Sequence, residues 1–138
     1  MTEEEYKALK MAWEEMLRGA TPPQFPGRDI IRDSWNRCRD YKIDPENPKL
    51  DFLPSEQLKK LRNHDYSELL HCAHPFMKNL YEIVSGSGFV VLLADKNGYI
   101  IESIGGKGTL QNATDISLSL GVNWTEKFMG TTSIGTCL

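Results

Sequence analysis

The stretch GFVVLLADKNGYIIESIGG (Gly88–Gly106) constrains the fold of this chain more than any other part of it. Phe89–Leu93 is a continuous apolar run rich in β-formers and bounded by glycines, the pattern of a buried strand. Asp95-Lys96-Asn97-Gly98 is a turn, because Asn-Gly tolerates positive φ. Tyr99–Ile104 then returns as a second strand, closing a β-hairpin. Two strands alone are marginal in water, and their apolar face and open edge need cover. Most of the other signals in the chain are helical, so helices must supply that cover, and the fold class is α+β.

Residues 2–18 read as an amphipathic helix. Thr2 and Glu5 have capping-box spacing, and Tyr6, Leu9, Trp13, Met16 and Leu17 recur on one stripe. Thr21–Gly27 breaks the helix, since its three prolines cannot continue one. A second helix is expected over Arg28–Tyr41, with Ile31, Trp35 and Cys38 inward, Ile30 and Ser34 alongside, and Arg32, Arg37, Arg39 and Asp40 facing solvent. Ile43–Leu53 reads as a loop. A short helix opens near Pro54 and Ser55 and runs to about Arg62, with a joint at Asn63-His64-Asp65. Tyr66–Val84 is a long helix burying Leu69, Leu70, Ala73, Phe76, Met77, Leu80, Tyr81 and Val84; Pro75 implies a kink near Ala73 or two abutting helices. Gly105, Gly106 and Gly108 form a flexible exit from the hairpin. Residues 109–120 fit either a strand or a short helix, and helix or irregular structure is preferred. Trp124–Met129 reads as helix.

The 138 residues carry 16 basic and 19 acidic side chains, a formal net charge of −3, and no Lys/Arg run. Direct nucleic-acid contact by this segment is therefore not expected. The longest apolar run, Phe89–Ala94, is far short of the ~18–20 residues a membrane helix needs, and the acidic start MTEEEYK lacks the layout of a signal peptide. Cys38, Cys72 and Cys137 are odd in number and widely spaced, as in reduced thiols of a cytoplasmic protein.

Three constellations invite chemical readings. His64, His71, Cys72 and His74 lie within eleven positions, but a structural zinc site wants four ligands in paired spacing. Surface histidines beside a core cysteine explain them, so no metal is expected. Cys137, with Thr131, Thr132, Ser133 and Thr136 nearby, has no base or orienting partner in local sequence, so no catalytic residue is assigned and no enzyme activity expected. GTTSIGT (Gly130–Thr136) has a glycine-rich look but lacks the lysine of a phosphate loop, and no cofactor is expected. Close packing at a turn or helix start accounts for its small residues. Trp124 stands apart from Trp13 and Trp35, being placed equally well as core or as the wall of a pocket between helix and sheet.

Three blocks, DSWNRCRDYKIDP (Asp33–Pro45), LLHCAHPFMKNLYEIVSGSGFVVLLADKNGYIIESIG (Leu69–Gly105) and GVNWTEKFMGTTSIGTCL (Gly121–Leu138), together resemble the N-terminal region of sigma-54-dependent transcriptional activators. The acetoin-catabolism and dihydroxyacetone-operon regulators are the group most similar in pattern. Thr132, Ser133 and Cys137 stand where the family pattern carries Asn, Ala and Ala. The resemblance implies a helical leader at residues 1–65 and, at 66–138, the first half of a GAF/PAS-like antiparallel sheet domain, the remainder with an AAA+ ATPase and a DNA-reading domain lying beyond Leu138. It also implies a sensory role: binding a small-molecule effector or a regulatory protein to control that ATPase. Phe89, Val91, Leu93, Trp124, Phe128 and Thr132 are the candidate pocket. Cover for the hairpin is expected from the helical leader and from a second copy of the chain, making a homodimer. The alternative is a helical dimerisation element carrying a ligand-free GAF-like fold.

Overall fold

The computed structural model describes residues 1–20, 25–45 and 47–138. The helices are α1 (Glu3–Leu17), α2 (Asp29–Asp40), α3 (Ser55–Lys60), α4 (Ser67–Val84), α5 (Lys107–Asp115) and α6 (Glu126–Met129). The strands are β1 (Val90–Ala94) and β2 (Ile100–Gly105), an antiparallel pair. A mixed α+β fold is thus established. The chain divides into two compact units, one of residues 1–49 with 125–137 and the other of residues 50–124 with Leu138. The predicted break at Thr21–Gly27 lies partly outside the described residues, at 21–24.

In the first unit α1 begins with the expected capping box. The Glu5 backbone N–H donates to Thr2 Oγ1 at 3.2 Å, and the Thr2 N–H donates to Glu5 Oε2 at 2.6 Å, so two otherwise orphaned donors are satisfied. The stripe predicted for α1 is only partly buried. Ala12 and Met16 are core residues, Leu9 and Trp13 are half-buried, and Tyr6 and Leu17 are exposed. α2 ends where Lys42 adopts the left-handed conformation, φ 57°. The Ile43 N–H reaches back to the Cys38 carbonyl and the Lys42 N–H to the Arg39 carbonyl, which satisfies carbonyls the helix end would leave open.

The second unit is built round the hairpin. Val90 pairs with Gly105, Val91 with Ile104, Leu92 with Ser103, Leu93 with Glu102 and Ala94 with Ile100. The register steps at Leu93/Ala94, leaving Ile101 as the extra residue of a β-bulge. A bulge re-aims a side chain, and here both Ile100 and Ile101 are fully buried. The turn is held by Asp95, itself buried, whose Oδ1 accepts the backbone N–H groups of Asn97 and Tyr99, each at 2.9 Å. Tyr66 on the approach to α4 donates its hydroxyl to Asp95 Oδ2.

The far edge of β2 does not stay open. Gly121 donates to the Ile100 carbonyl, Ile100 to Val122, and Trp124 to Gly98. The 121–123 segment in turn pairs with 51–53 through Leu53 N–H to Gly121 O and Asn123 N–H to Asp51 O, with a bridge between Phe52 and Val122. Gly121 sits at φ 83°, and a Cβ there would meet Leu58 at 3.2 Å, so both conformation and space call for glycine. Part of the segment expected to be a loop, around Phe52, therefore completes the sheet edge.

Several expectations are corrected by this unit. The joint at 63–65 is a π-helical turn, Leu61–Asp65, between α3 and α4. α4 continues through Pro75 as one helix, which removes the alternative of two abutting helices. The glycine exit is ordered structure: Gly105 ends β2, Gly106 caps α5, and α5 covers much of the 109–120 stretch. The apolar stripe of α4 was drawn too wide. Met77 is buried, and Leu70, Ala73, Tyr81 and Val84 are half-buried, whereas Leu69, Phe76 and Leu80 are exposed. A helix packed on two strands covers only one arc of its surface, and the rest of the apolar arc has nothing over it in this unit.

Candidate functional site

The GTTSIG run follows α6 within the first unit, and α2 holds it by polar contacts. Arg37 makes a two-pronged pair with Glu126, Nε to Oε2 at 2.6 Å and Nη2 to Oε1 at 2.8 Å. Glu126 is buried while Arg37 remains half-exposed. The Arg37 hydrogen bonds hold the Glu126 carboxyl below its ordinary value of 4.5 against the opposing effect of burial, and a Ser34 hydrogen bond adds to the depression. Arg37 is raised in turn, chiefly by the same contact. Arg37 keeps its place on the solvent face of α2 while its guanidinium reaches the buried Glu126 carboxylate. One turn away, Ser34, fully buried, shares a hydrogen bond with Thr131 between hydroxyl oxygens 2.7 Å apart, and Cys38 Sγ lies 3.5 Å from the same Thr131 oxygen.

Between α6 and Thr131 the chain turns at Gly130, φ 72°. A Cβ there would come to 3.9 Å of Ile43. These contacts frame a half-open cavity of about 570 Å³ inside the first unit. Trp13, Met16 and Leu17 of α1, Trp35 of α2, and Ile43 and Met129 give it apolar walls. Phe25 and Trp35 meet in a T-shaped contact, ring centroids 5.2 Å apart, which helps to fix the indole. Cys38 and Thr131 supply polar lining; Arg39, Lys42 and Asp44 are its charged residues. The volume lies within the ~300–1,000 Å³ usual for small-molecule sites.

The six residues singled out from sequence fall differently. Phe89 precedes β1 and is exposed, and Val91 and Leu93 are half-buried in β1. Trp124 is not helical: its indole N–H donates to the Ser117 carbonyl at 3.1 Å, while its backbone pairs at the β2 edge. Phe128 lies in α6 beneath the Lys127 ammonium, 5.6 Å from the ring centroid. Thr132 closes the turn after Gly130, its Oγ1 accepting from the Gly135 N–H at 3.0 Å. None of the six lines the 570 Å³ cavity. Sequence reasoning missed that cavity and its Arg37–Glu126 and Ser34–Thr131 ties, whose partners are 89 and 97 residues apart.

In the second unit His71 and His74 border an open depression with Lys59, Arg62 and Glu102. Arg62 is committed to Glu102 at 2.9 Å. Among the described residues no group of three His, Cys, Asp or Glu side chains is placed to share a metal ion. Nor is any helix among them long and apolar enough to cross a membrane.

The described residues thus form a small α+β fold whose first unit holds a half-open cavity tied by polar contacts. The chain belongs to the MimR N-terminal domain family, whose model matches residues 10–138. It is 32% identical over 120 residues to a signal-transduction and transcriptional-control protein of Clostridium beijerinckii, covering 82% of this chain and 18% of that one. The acetoin catabolism regulatory protein of Cupriavidus necator is 32% identical over 111 residues, covering 79% and 16%. The acetoin dehydrogenase operon transcriptional activator AcoR of Bacillus subtilis is 27% identical over 129 residues, covering 91% and 21%. The chain thus spans about a fifth of the length of these relatives. No solved structure matches it. The resemblance read from the three sequence blocks, to the acetoin regulators, stands.

Proposed function

We propose that this chain is the signal-reception module of a sigma-54-dependent transcription activator. It takes up a small metabolite or a regulatory protein and thereby restrains or releases an ATPase that the chain itself does not contain. The observation that carries this reading is the asymmetry of coverage: the match takes in most of this chain but a fifth of relatives named as transcriptional regulators. A segment of that kind, holding an open cavity, suits reception of a signal better than reading of DNA. We assign residues 1–65 to a helical leader and 66–138 to a GAF/PAS-like portion, supported by the hairpin with α4 and α5 packed on both strands. Phe89, Val91, Leu93 and Trp124 in the second unit and, separately, Phe128 and Thr132 in the first belong to this reading as candidate contacts for effector or partner, with Phe89 the most accessible of them. Control requires two states that differ in affinity for the signal.

A graft tests it. The chain replaces the matching segment of the Cupriavidus acetoin regulator, and transcription from an acetoin-responsive promoter is measured against a panel of small ketones, diols and carboxylates. At least one compound should change output several-fold relative to the segment-deleted regulator. Output that is identical for every compound, and identical to the deletion, would falsify the reading. A second reading, a dimerisation element, is favoured by α1, where Tyr6, Met11 and Leu17 are all more than half exposed. Removing residues 1–20 and finding the sedimentation coefficient that of an unchanged oligomer would remove it.

A further inference from the structure

We infer that the 570 Å³ cavity of the first unit is a binding site for a small monocarboxylate with an aromatic or branched apolar body. Its meaning as an effector site rests on the sensory reading above, but its chemistry does not. The walls come from two indoles and from Met16, Leu17, Ile43 and Met129, so burial of an apolar body is the main source of affinity. The lining charges are Arg39, Lys42 and Asp44. Together they sum to a single positive charge, which one carboxylate balances and a dianionic phosphate does not. Asp44 already has an interaction within the chain, leaving the two cations as the groups that select an anion. An Arg fork and a Lys point charge in the lining are suited to a carboxylate oxygen pair.

The hydroxyl and thiol groups inside fit the same ligand class. Of the lining groups, Thr131 bonds to Ser34, which lies outside the lining, and also faces Cys38, so neither the Thr131 hydroxyl nor the Cys38 thiol is stranded by an apolar body. Gly130 keeps this wall thin: its left-handed backbone excludes a side chain, and a Cβ would lie against Ile43. A ligand seated here touches α1, α2 and the Met129–Thr131 turn at once. It would therefore bear directly on the turn that Arg37 and Glu126 anchor.

Calorimetry with two probes of one skeleton, naphthalene-2-carboxylate and naphthalene-2-methanol, tests the assignment on the intact chain. The carboxylate should bind roughly tenfold tighter, the size of one charge-assisted contact. The double variant Arg39→Ala/Lys42→Ala should erase that preference and leave the alcohol within about twofold of its starting affinity. Both side chains are exposed, so circular dichroism should show an unchanged fold. Saturating carboxylate should slow alkylation of half-buried Cys38 by iodoacetamide and leave exposed Cys72 and Cys137 unaffected. Equal affinity for the two probes, a preference that survives the double variant, or an unprotected Cys38 each overturns the site. A silent graft with a carboxylate-selective cavity sinks only the sensory reading; a responsive graft without that selectivity sinks only the cavity.

Discussion

The two units solve the problem of specifying a structure in different ways. The hairpin unit buries two successive isoleucines completely and ties its turn to one buried carboxylate, with a glycine-dependent edge segment alongside. Among the described residues the helical unit buries only Ala12 and Met16 as hydrophobic core, leaves a cavity beside Met16, and relies on an ion pair and a hydroxyl pair for long-range ties. Dense apolar packing has one good arrangement. Polar ties across a void leave room for a second arrangement at small cost, which the proposed receiving role would need.

Substitutions can break that contrast, beginning with the largest effect. Ile101→Ala should cost about 3–4 kcal/mol in urea unfolding, a fully buried residue leaving a void in a packed sheet. Asp95→Ala should cost about 2–3 kcal/mol, because two backbone donors and the Tyr66 hydroxyl lose their acceptor. Met16→Ala, although Met16 is also a buried core residue, should cost only about 2 kcal/mol, since it enlarges a cavity already present. If Met16→Ala proves as costly as Ile101→Ala, the helical unit is packed as tightly as the sheet and the contrast is gone.

Acid sharpens the comparison further. The carboxyl of Glu126 is depressed in the folded chain, so its contribution is complete above the ordinary value of 4.5 and is lost as pH falls below it towards the depressed value. Glu126→Gln should therefore flatten the fall in melting temperature on acidification while lowering stability at neutral pH; an unchanged pH profile would show the pair to be energetically idle. The smallest effect expected is that of Thr2→Ala, about 1 kcal/mol or less at an exposed helix start.

The hairpin was legible because its signals are local: an apolar run, Asn-Gly at the turn, a second run. The capping box on α1 was legible for the same reason. The exposed arc of α4 was not, because periodicity marks which residues are apolar and not how wide a neighbour will cover them. The Ile101 bulge, the pairing of 121–124 with β2 and 51–53, and the Arg37–Glu126 tie depend on partners far apart in the chain, and no window of sequence contains both halves. Trp124 shows the limit most plainly. Its neighbours suggested a helix, yet its backbone is taken by Gly98 and its indole by Ser117. The cavity was hidden for a related reason, its walls being drawn from α1, α2, the segment after α2 and the turn after α6.

The three free thiols give the molecule an unplanned set of reporters. Cys72 and Cys137 are exposed, one in each unit, and Cys38 is half-buried at the cavity. A brief pulse of maleimide dye should mark the two outer positions first, giving a donor and acceptor pair with no mutagenesis. Energy transfer between the two dyes would follow the separation of the units in solution, compound by compound. The remaining sulfhydryl would keep time from within, its slower labelling clocking how often the cavity opens.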